Sequence, residues 1–333
     1  MSVFFLILFI FLFNLIFFLK FNSISNFLVL FDKPDGKLKR HSKPISLIGG
    51  LVIITNIYLI IFLSRLFDID SIFEGHFLYT VIILSTLFYL VGLIDDLKNL
   101  SPNIKLLLLI FSISIVIYFF PEIKLDLIKI SFFEKVYYFH EYSYLFVILS
   151  FLLLANAINM FDGINLQLIL FSSLIFMLFI LKGFIPIFFI SLLICLTFLG
   201  ILNYQNKVFL GDSGAFLISS LLGCTFIYQY KNLENFFFGD EVFVILIIPA
   251  IDMLRLFIER SINKKHPFKG DLNHLHHIIY NFTKNKNLTI IITIGSCVIP
   301  TLFLFLDIET YYIFTTTIIL YLILITYMRK KNK

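Results

Sequence analysis

Tryptophan is absent, and the three cysteines, Cys195, Cys224 and Cys297, each sit inside an apolar run with no CxxC or other ligand spacing. That arrangement offers neither a disulfide framework nor a zinc site. Charge is scarce too: Asp, Glu, Lys and Arg make up 14% of the residues against 60% hydrophobic ones, and mean hydropathy is +0.99. Soluble domains use roughly 25% charged and about 45–50% apolar residues, so a soluble globular class is excluded. There is no obvious soluble domain, no repeat at a fixed period and no low-complexity linker, so a single integral membrane domain over residues 1–333 is the simplest organisation. Nothing points to a nucleic-acid partner.

Long apolar runs fill the chain instead. Stretches near the ~20 residues that cross a bilayer recur at about 3–19, 45–64, 76–94, 104–120, 144–158, 166–182, 184–201, 213–230, 241–258, 289–306 and 310–328. The expected fold class is an all-α polytopic membrane protein of about eleven transmembrane helices. The first run has no basic residue ahead of it and no small-residue cleavage site behind it, so it reads as a retained span rather than a signal peptide.

The basic residues orient these spans. Placing loops 20–44, 95–104, 159–166, 202–213 and 259–288, with their flanking residues, and the tail from Arg329 on one side gathers 20 of the 26 Lys and Arg there, all but Arg65, Lys124, Lys129, Lys135, Lys182 and Lys231. The positive-inside rule makes that side cytoplasmic, with the N-terminus outside and the C-terminus inside. The outer segment 121–143, rich in β-branched and aromatic residues, allows a short hairpin or interfacial piece.

Ionisable groups are nearly missing from the middles of the spans, Asp252 in the inner half of the ninth being the main exception. A membrane transporter or flippase of lipid-linked sugars, the main competing reading, would carry polar groups there. The polar residues gather at span ends on the basic face, in "DKPDGKLKRHSKP" (32–44), "IDDLKNLSPNIK" (94–105), "NAINMFDGIN" (156–165), "NYQNKVFLGDSGA" (203–215) and "PFKGDLNHLHH" (267–277). That pattern favours a surface site over a pore.

Each segment admits a bland and a chemical reading. Asp95 and Asp96 end the third span, where the helix dipole disfavours negative charge by about 0.3–1 kcal/mol per group. They are either a solvated helix end, with Asp96 opening a turn before Lys98, or a pair facing a nearby cation. Asn156 and Asn159 share a helix face and Asp162–Gly163 reads as a turn, so "NAINMFDGIN" is a cap and turn or a polar site at a membrane exit. In "VFLGDSGAF", Gly211 and Gly214 let backbone approach a ligand, and Asp212 or Ser213 is a candidate N-cap for the eighth span. A helix N-terminus there suits anionic groups, and a carboxylate bridging Mg²⁺ to phosphate oxygens suits it too. His274, His276 and His277 lack zinc-site spacing. With Arg255, Arg260, Lys264, Lys265 and Lys269 beside them, they read as an anion-binding loop for pyrophosphate.

Taken together and in this order over residues 32 to 277, the five segments resemble the polyprenyl-phosphate N-acetylhexosamine-1-phosphate transferases of glycosyltransferase family 4. The likeness is nearer to the branch that initiates O-antigen, enterobacterial common antigen or teichoic acid linkage units than to the phospho-MurNAc-pentapeptide transferase. The resemblance implies transfer of N-acetylhexosamine 1-phosphate from a UDP-N-acetylhexosamine to polyprenyl phosphate, releasing UMP, with Mg²⁺ (or Mn²⁺) as cofactor. It implies a multi-pass protein of the bacterial inner membrane with its site on the cytoplasmic face, the lipid bilayer as partner, and a homodimer as one assembly it allows.

By the same carry-over, Asp212 is a Mg²⁺ ligand and Asn159 a second one. Asp95 and Asp96 are the catalytic carboxylates, Asp95 helping to deprotonate or orient the attacking lipid phosphate, and Lys105 faces that phosphate. Asp162 and Asn203 contact uridine; His274, His276 and His277 handle the diphosphate or sugar. Two departures stand out. Where the family usually continues "DGIDGL" this chain has "DGINLQL", so Asn165 replaces an aspartate and the following glycine is lost, and "GDSGA" replaces the commoner "GDSGS". An inactive scaffold homologue is the third reading, raised by Asn165 alone; the four aspartates Asp95, Asp96, Asp162 and Asp212 favour an active enzyme.

Overall fold

In hydrocarbon a backbone N–H has no water to turn to, so long Leu, Ile and Phe runs satisfy their peptide groups internally as helices. The computed structural model describes residues 1–32, 34, 43–69, 75–133, 135–232, 237–267, 271–306 and 308–331. Most of the 32–44 motif, and Lys269, lie outside these residues. The helices are α1 (Ser2–Leu19), α2 (Phe21–Leu28), α3 (Gly49–Leu66), α4 (Gly75–Lys98), α5 (Pro102–Phe119), α6 (Ser143–Phe161), α7 (Gln167–Leu181), α8 (Pro186–Tyr204), α9 (Gly211–Asn232), α10 (Gly239–Ile245), α11 (Ile247–Ile262), α12 (Leu275–Thr283), α13 (Lys286–Phe303) and α14 (Thr310–Lys331).

The protein is an all-α polytopic membrane protein. Among the described residues eight helices are long and apolar enough to cross a bilayer: α1, α3, α4, α5, α6, α8, α13 and α14. All eleven expected runs are helical, but the ninth is broken into α10 and α11. Pro249 has no N–H to offer the carbonyl of Ile245, where α10 ends. Two helices have no counterpart among those runs. Both α2 and α12 are short and amphipathic, and lie in segments read as loops.

The described chain divides into two compact units, each discontinuous in sequence: residues 1–123 with 172–229, and residues 124–171 with 230–333. In the first, α1 packs on α3 and α8, α3 on α8, and α4 on α5. Phe176, Phe179, Phe188 and Phe189 form a buried aromatic core, with Phe179 and Phe189 ring centroids 5.0 Å apart. Asn14 of α1 and Asn56 of α3, both fully buried, exchange amide hydrogen bonds at 2.7 and 3.2 Å. Two short strands, β1 (Phe31–Asp32) and β2 (Ile45–Ser46), pair antiparallel, and Ser46 also bridges Val208.

In the second unit α6 packs on α11, and α12 on α13 and α14. The hairpin expected within 121–143 is present as β3 (Leu127–Ile130) and β4 (Lys135–Tyr138), paired antiparallel. Asp240 of α10 anchors it. Its carboxylate accepts the Ser131 N–H at 2.9 Å and the hydroxyls of Ser131 and Thr310.

Candidate functional site

The unusual carboxylates of α4 are explained by a helix distant in sequence. Asn99, with φ of 49°, ends α4, and Pro102, whose missing N–H costs nothing in a first turn, starts α5. This tight reversal carries Lys105 back beside Asp95, where its ammonium pairs with the Asp95 carboxylate and, at 2.8 Å, with Asp212 Oδ2. Asp95 also accepts the Leu100 N–H at 2.7 Å and is buried.

Asp96 accepts the N–H groups of Asp212 at 2.8 Å and Ser213 at 3.1 Å. It sits at the unfavourable C-terminal end of its own helix but at the favourable N-terminal end of α9, where free amides and the dipole attract a carboxylate. Asp212 and Ser213 lie inside the first turn of α9, past the N-cap position that the local sequence suggested for them, and Asp96 accepts their N–H groups from 116 and 117 residues away. Gly211 is required here twice over. Its φ of 72° favours glycine, and a Cβ would fall 2.5 Å from Asp96 Oδ2. The approach to α9 is held as an extended strap: Phe209 N–H donates to Ser46 O at 2.8 Å, and Gly49 and Gly50 donate to Phe209 and Leu210 carbonyls at 3.2 Å.

Asp95, Asp96, Lys105 and Asp212 thus form one cluster in the first unit, with two carboxylates on a single ammonium and the third on the α9 amides. Lys105 and Asp212 leave 25% and 28% of their side chains exposed, and Asp96 is part-exposed too. Asn203, assigned to uridine from sequence, is buried and donates to Val208 O at 2.7 Å, bracing the strap.

The second unit holds the other candidates. Asp162 follows the last residue of α6, one turn after Asn159. Gly163 lies against His276: a Cβ there would meet Nε2 at 1.8 Å, so "NAINMFDGIN" and "NHLHH" are in direct contact. The imidazoles of His274, His276 and His277 cluster, with centroids 5.4 Å apart for the first pair and 4.3 Å for the second. Leu166, where the resembled family has glycine, adopts φ of 68°. A bulky residue held in this left-handed region stores about 1–2 kcal/mol of strain.

Behind the imidazoles is a network that the sequence reading did not find. Asp252, buried in α11, accepts the Leu275 N–H that opens α12, the Tyr321 hydroxyl at 2.6 Å and Arg255 at 2.8 Å, and stands 3.7 Å from His274 Nδ1. Asp252, Arg255 and Glu259 share one helix face by their i, i+3, i+7 spacing, which was the available signal. In the loop before α12, Arg260 donates to Asp271 and to Pro267 O. Burial raises the Asp271 carboxyl, but the Arg260 guanidinium and the Asn273 N–H outweigh it and hold the group below the usual carboxylate range.

Among the described residues no three carboxylate, imidazole or thiolate groups are arranged to hold a metal. Mg²⁺ needs no such cage, since it is commonly held by one or two carboxylates together with substrate phosphates and water. Asp212, part-exposed at a helix N-terminus, fits that donor chemistry; Asn159, expected as the second ligand, stands in the other unit.

Comparison with known proteins agrees with these motifs. The pattern of glycosyl transferase family 4 matches residues 78–230. The undecaprenyl-phosphate alpha-N-acetylglucosaminyl 1-phosphate transferase of Thermotoga maritima is 28% identical over 306 residues, covering 89% of this chain and 88% of its own. The enzymes of that name from Salmonella typhi (24%, covering 87% and 80%) and Yersinia pestis (26%, covering 82% and 75%) are also similar. The chain is therefore similar to glycosyl transferase family 4 across residues 78–230, and to these relatives over most of its length.

Proposed function

We propose that this protein transfers N-acetylhexosamine 1-phosphate, GlcNAc 1-phosphate being the first donor to test, from a UDP-sugar to undecaprenyl phosphate. UMP is released and a lipid-linked cell-surface glycan is started. The observation that carries the reading is the Asp95–Lys105–Asp212 clamp, fixed by Asp96 at the N-terminus of α9. The names of the relatives supply the reaction class.

In the proposed step an oxygen of the lipid phosphate attacks the sugar-bearing phosphorus of the donor. One P–O bond forms, the bond from that phosphorus to the bridging oxygen breaks, and UMP leaves with that oxygen. Such transfers depend on positioning and charge stabilisation. Lys105 exchanges a carboxylate partner for the incoming lipid phosphate and orients it. Asp95, released from part of its ion pair, accepts a proton from that phosphate or holds it in line. Asp96 keeps Asp212 and the α9 amides aimed at the same place. Bound at Asp212, Mg²⁺ or Mn²⁺ would neutralise diphosphate charge. Asp162 and the three histidines are assigned to the nucleotide and sugar side of the donor. The positive-inside count supports a cytoplasmic orientation of these segments in a bacterial inner membrane.

Membranes bearing the protein, given radiolabelled UDP-GlcNAc and undecaprenyl phosphate, should release UMP and form labelled lipid. EDTA and Asp212→Asn should each abolish both. If no UDP-N-acetylhexosamine gives UMP, the transferase reading fails in favour of a scaffold. Movement of preformed lipid-linked sugar without UMP would identify a flippase.

A further inference from the structure

The last helix, α14, makes two charged or polar links to α11 on the side that carries the histidines. Tyr321 donates to Asp252 at 2.6 Å and accepts from Arg255 Nε at 2.8 Å. Two helical turns later Arg329 grips Glu259 with both terminal nitrogens, at 2.8 and 2.9 Å. Arg255 ties the two links together, reaching Glu259 at 2.9 Å, Asp252 at 2.8 Å and the carbonyl of Asn273 at 2.7 Å. Apart from the Arg329–Glu259 pair, each bond ends within one residue of His274 or on a group that itself binds there. Asp252 takes the first amide of α12, and Asn273 immediately precedes His274.

We propose that Tyr321 is a positioning residue for the imidazole cluster: its hydroxyl, wedged between Asp252 and Arg255, fixes the start of α12 and hence the orientation of His274, His276 and His277. Three features argue for this over simple helix packing. Tyr321 is 4% exposed on a helix whose surface is otherwise largely apolar and exposed. Its hydroxyl joins a carboxylate and a guanidinium that are themselves buried or nearly so, and hydrogen bonds to charged groups in such surroundings are the strong ones. Also, among the described residues Tyr321 is the α14 side chain that bonds directly to Asp252 and Arg255.

The inference rests on the transferase reading for its kinetic test but not for its structural one. In Tyr321→Phe the ring still fills its place and only the hydroxyl is lost. The proposal expects KM for the UDP-sugar to rise about tenfold, with KM for undecaprenyl phosphate unchanged. It also expects faster hydrogen exchange over residues 275–279 while the rest of the protein exchanges as wild type. Tyr327→Phe, on an exposed tyrosine of the same helix, serves as control and should change neither. Wild-type exchange at 275–279 in Tyr321→Phe overturns the proposal. So does a general rise in exchange, or a fall in kcat with both KM values unchanged, because each describes a merely structural or unrelated role. If the wild-type protein releases no UMP, the functional reading fails and the exchange comparison still decides this one.

Discussion

Removing the Asp96 carboxylate should loosen the protein more than removing that of Asp95, although the two residues are adjacent. Asp96 accepts two backbone N–H groups at the first turn of α9. Losing an N-cap costs typically about 1 kcal/mol, and a favourable charge at a helix N-terminus adds about 0.3–1 kcal/mol. Asp96→Ala also strands two amides in a crowded site, so a loss of about 2–3 kcal/mol is expected. Asp96→Asn keeps one acceptor oxygen and should cost about half as much. Asp95→Asn retains the acceptor for the Leu100 N–H and leaves Lys105 paired with Asp212, so it should cost less than Asp96→Ala while lowering UMP release. The assay is thermal unfolding in nanodiscs at one fixed scan rate, with hydrogen exchange at the start of α9 as the local reporter. The unfolding midpoint should be highest for wild type and lowest for Asp96→Ala, with both asparagine variants between them. An Asp95→Asn protein less stable than Asp96→Ala, or no change at α9 in either Asp96 variant, would refute the capping assignment.

Other outcomes follow from single contacts. Gly163→Ala puts a methyl where His276 Nε2 lies, so UMP release should fall at least tenfold with little change in unfolding temperature. Asn14→Leu takes the partner from Asn56 Oδ1 inside the bundle, leaving that amide only its bond to Val52 O, and should cost about 0.6–1.7 kcal/mol, whereas the double Asn14→Leu/Asn56→Leu protein should recover part of that loss in the same unfolding assay. Because the folded-state Asp271 carboxyl titrates below its unfolded value, the stability it lends the loop is complete above the ordinary carboxylate pKa and is lost as pH falls through the folded one. Hydrogen-exchange protection at residues 271–274, taken against the intrinsic rate at each pH, should therefore fall on acidification in wild type but not in Asp271→Asn.

How far the site was legible depended on whether its signal was a residue type or a contact. Asp95, Asp96 and Asp212 were visible because carboxylates beside apolar runs are rare, and His274, His276 and His277 because imidazoles rarely crowd together. What Asp96 does was hidden, since its partners are amides that any residue could supply. Tyr321 and Arg329 were hidden for another reason. A tyrosine within an apolar run and an arginine at a span's cytoplasmic end each match what a bilayer alone selects, so neither stands out until Asp252 and Glu259 are seen opposite them. The break after α10 could have been read from Pro249, but the uninterrupted hydropathy around it masked the change of helix.

By itself, the sequence determined that the chain is helical and membrane-embedded, because hydrocarbon leaves a polar backbone no partner but itself. It also determined which residues carry unusual chemistry, because charge near lipid is too costly to be casual. Only the tertiary structure decided which carboxylate caps, which pairs with Lys105 and which supports the imidazoles. Those assignments rest on hydrogen bonds a few ångströms long between different helices, one of them spanning 116 residues of chain, and a local pattern of residues holds no record of such distances.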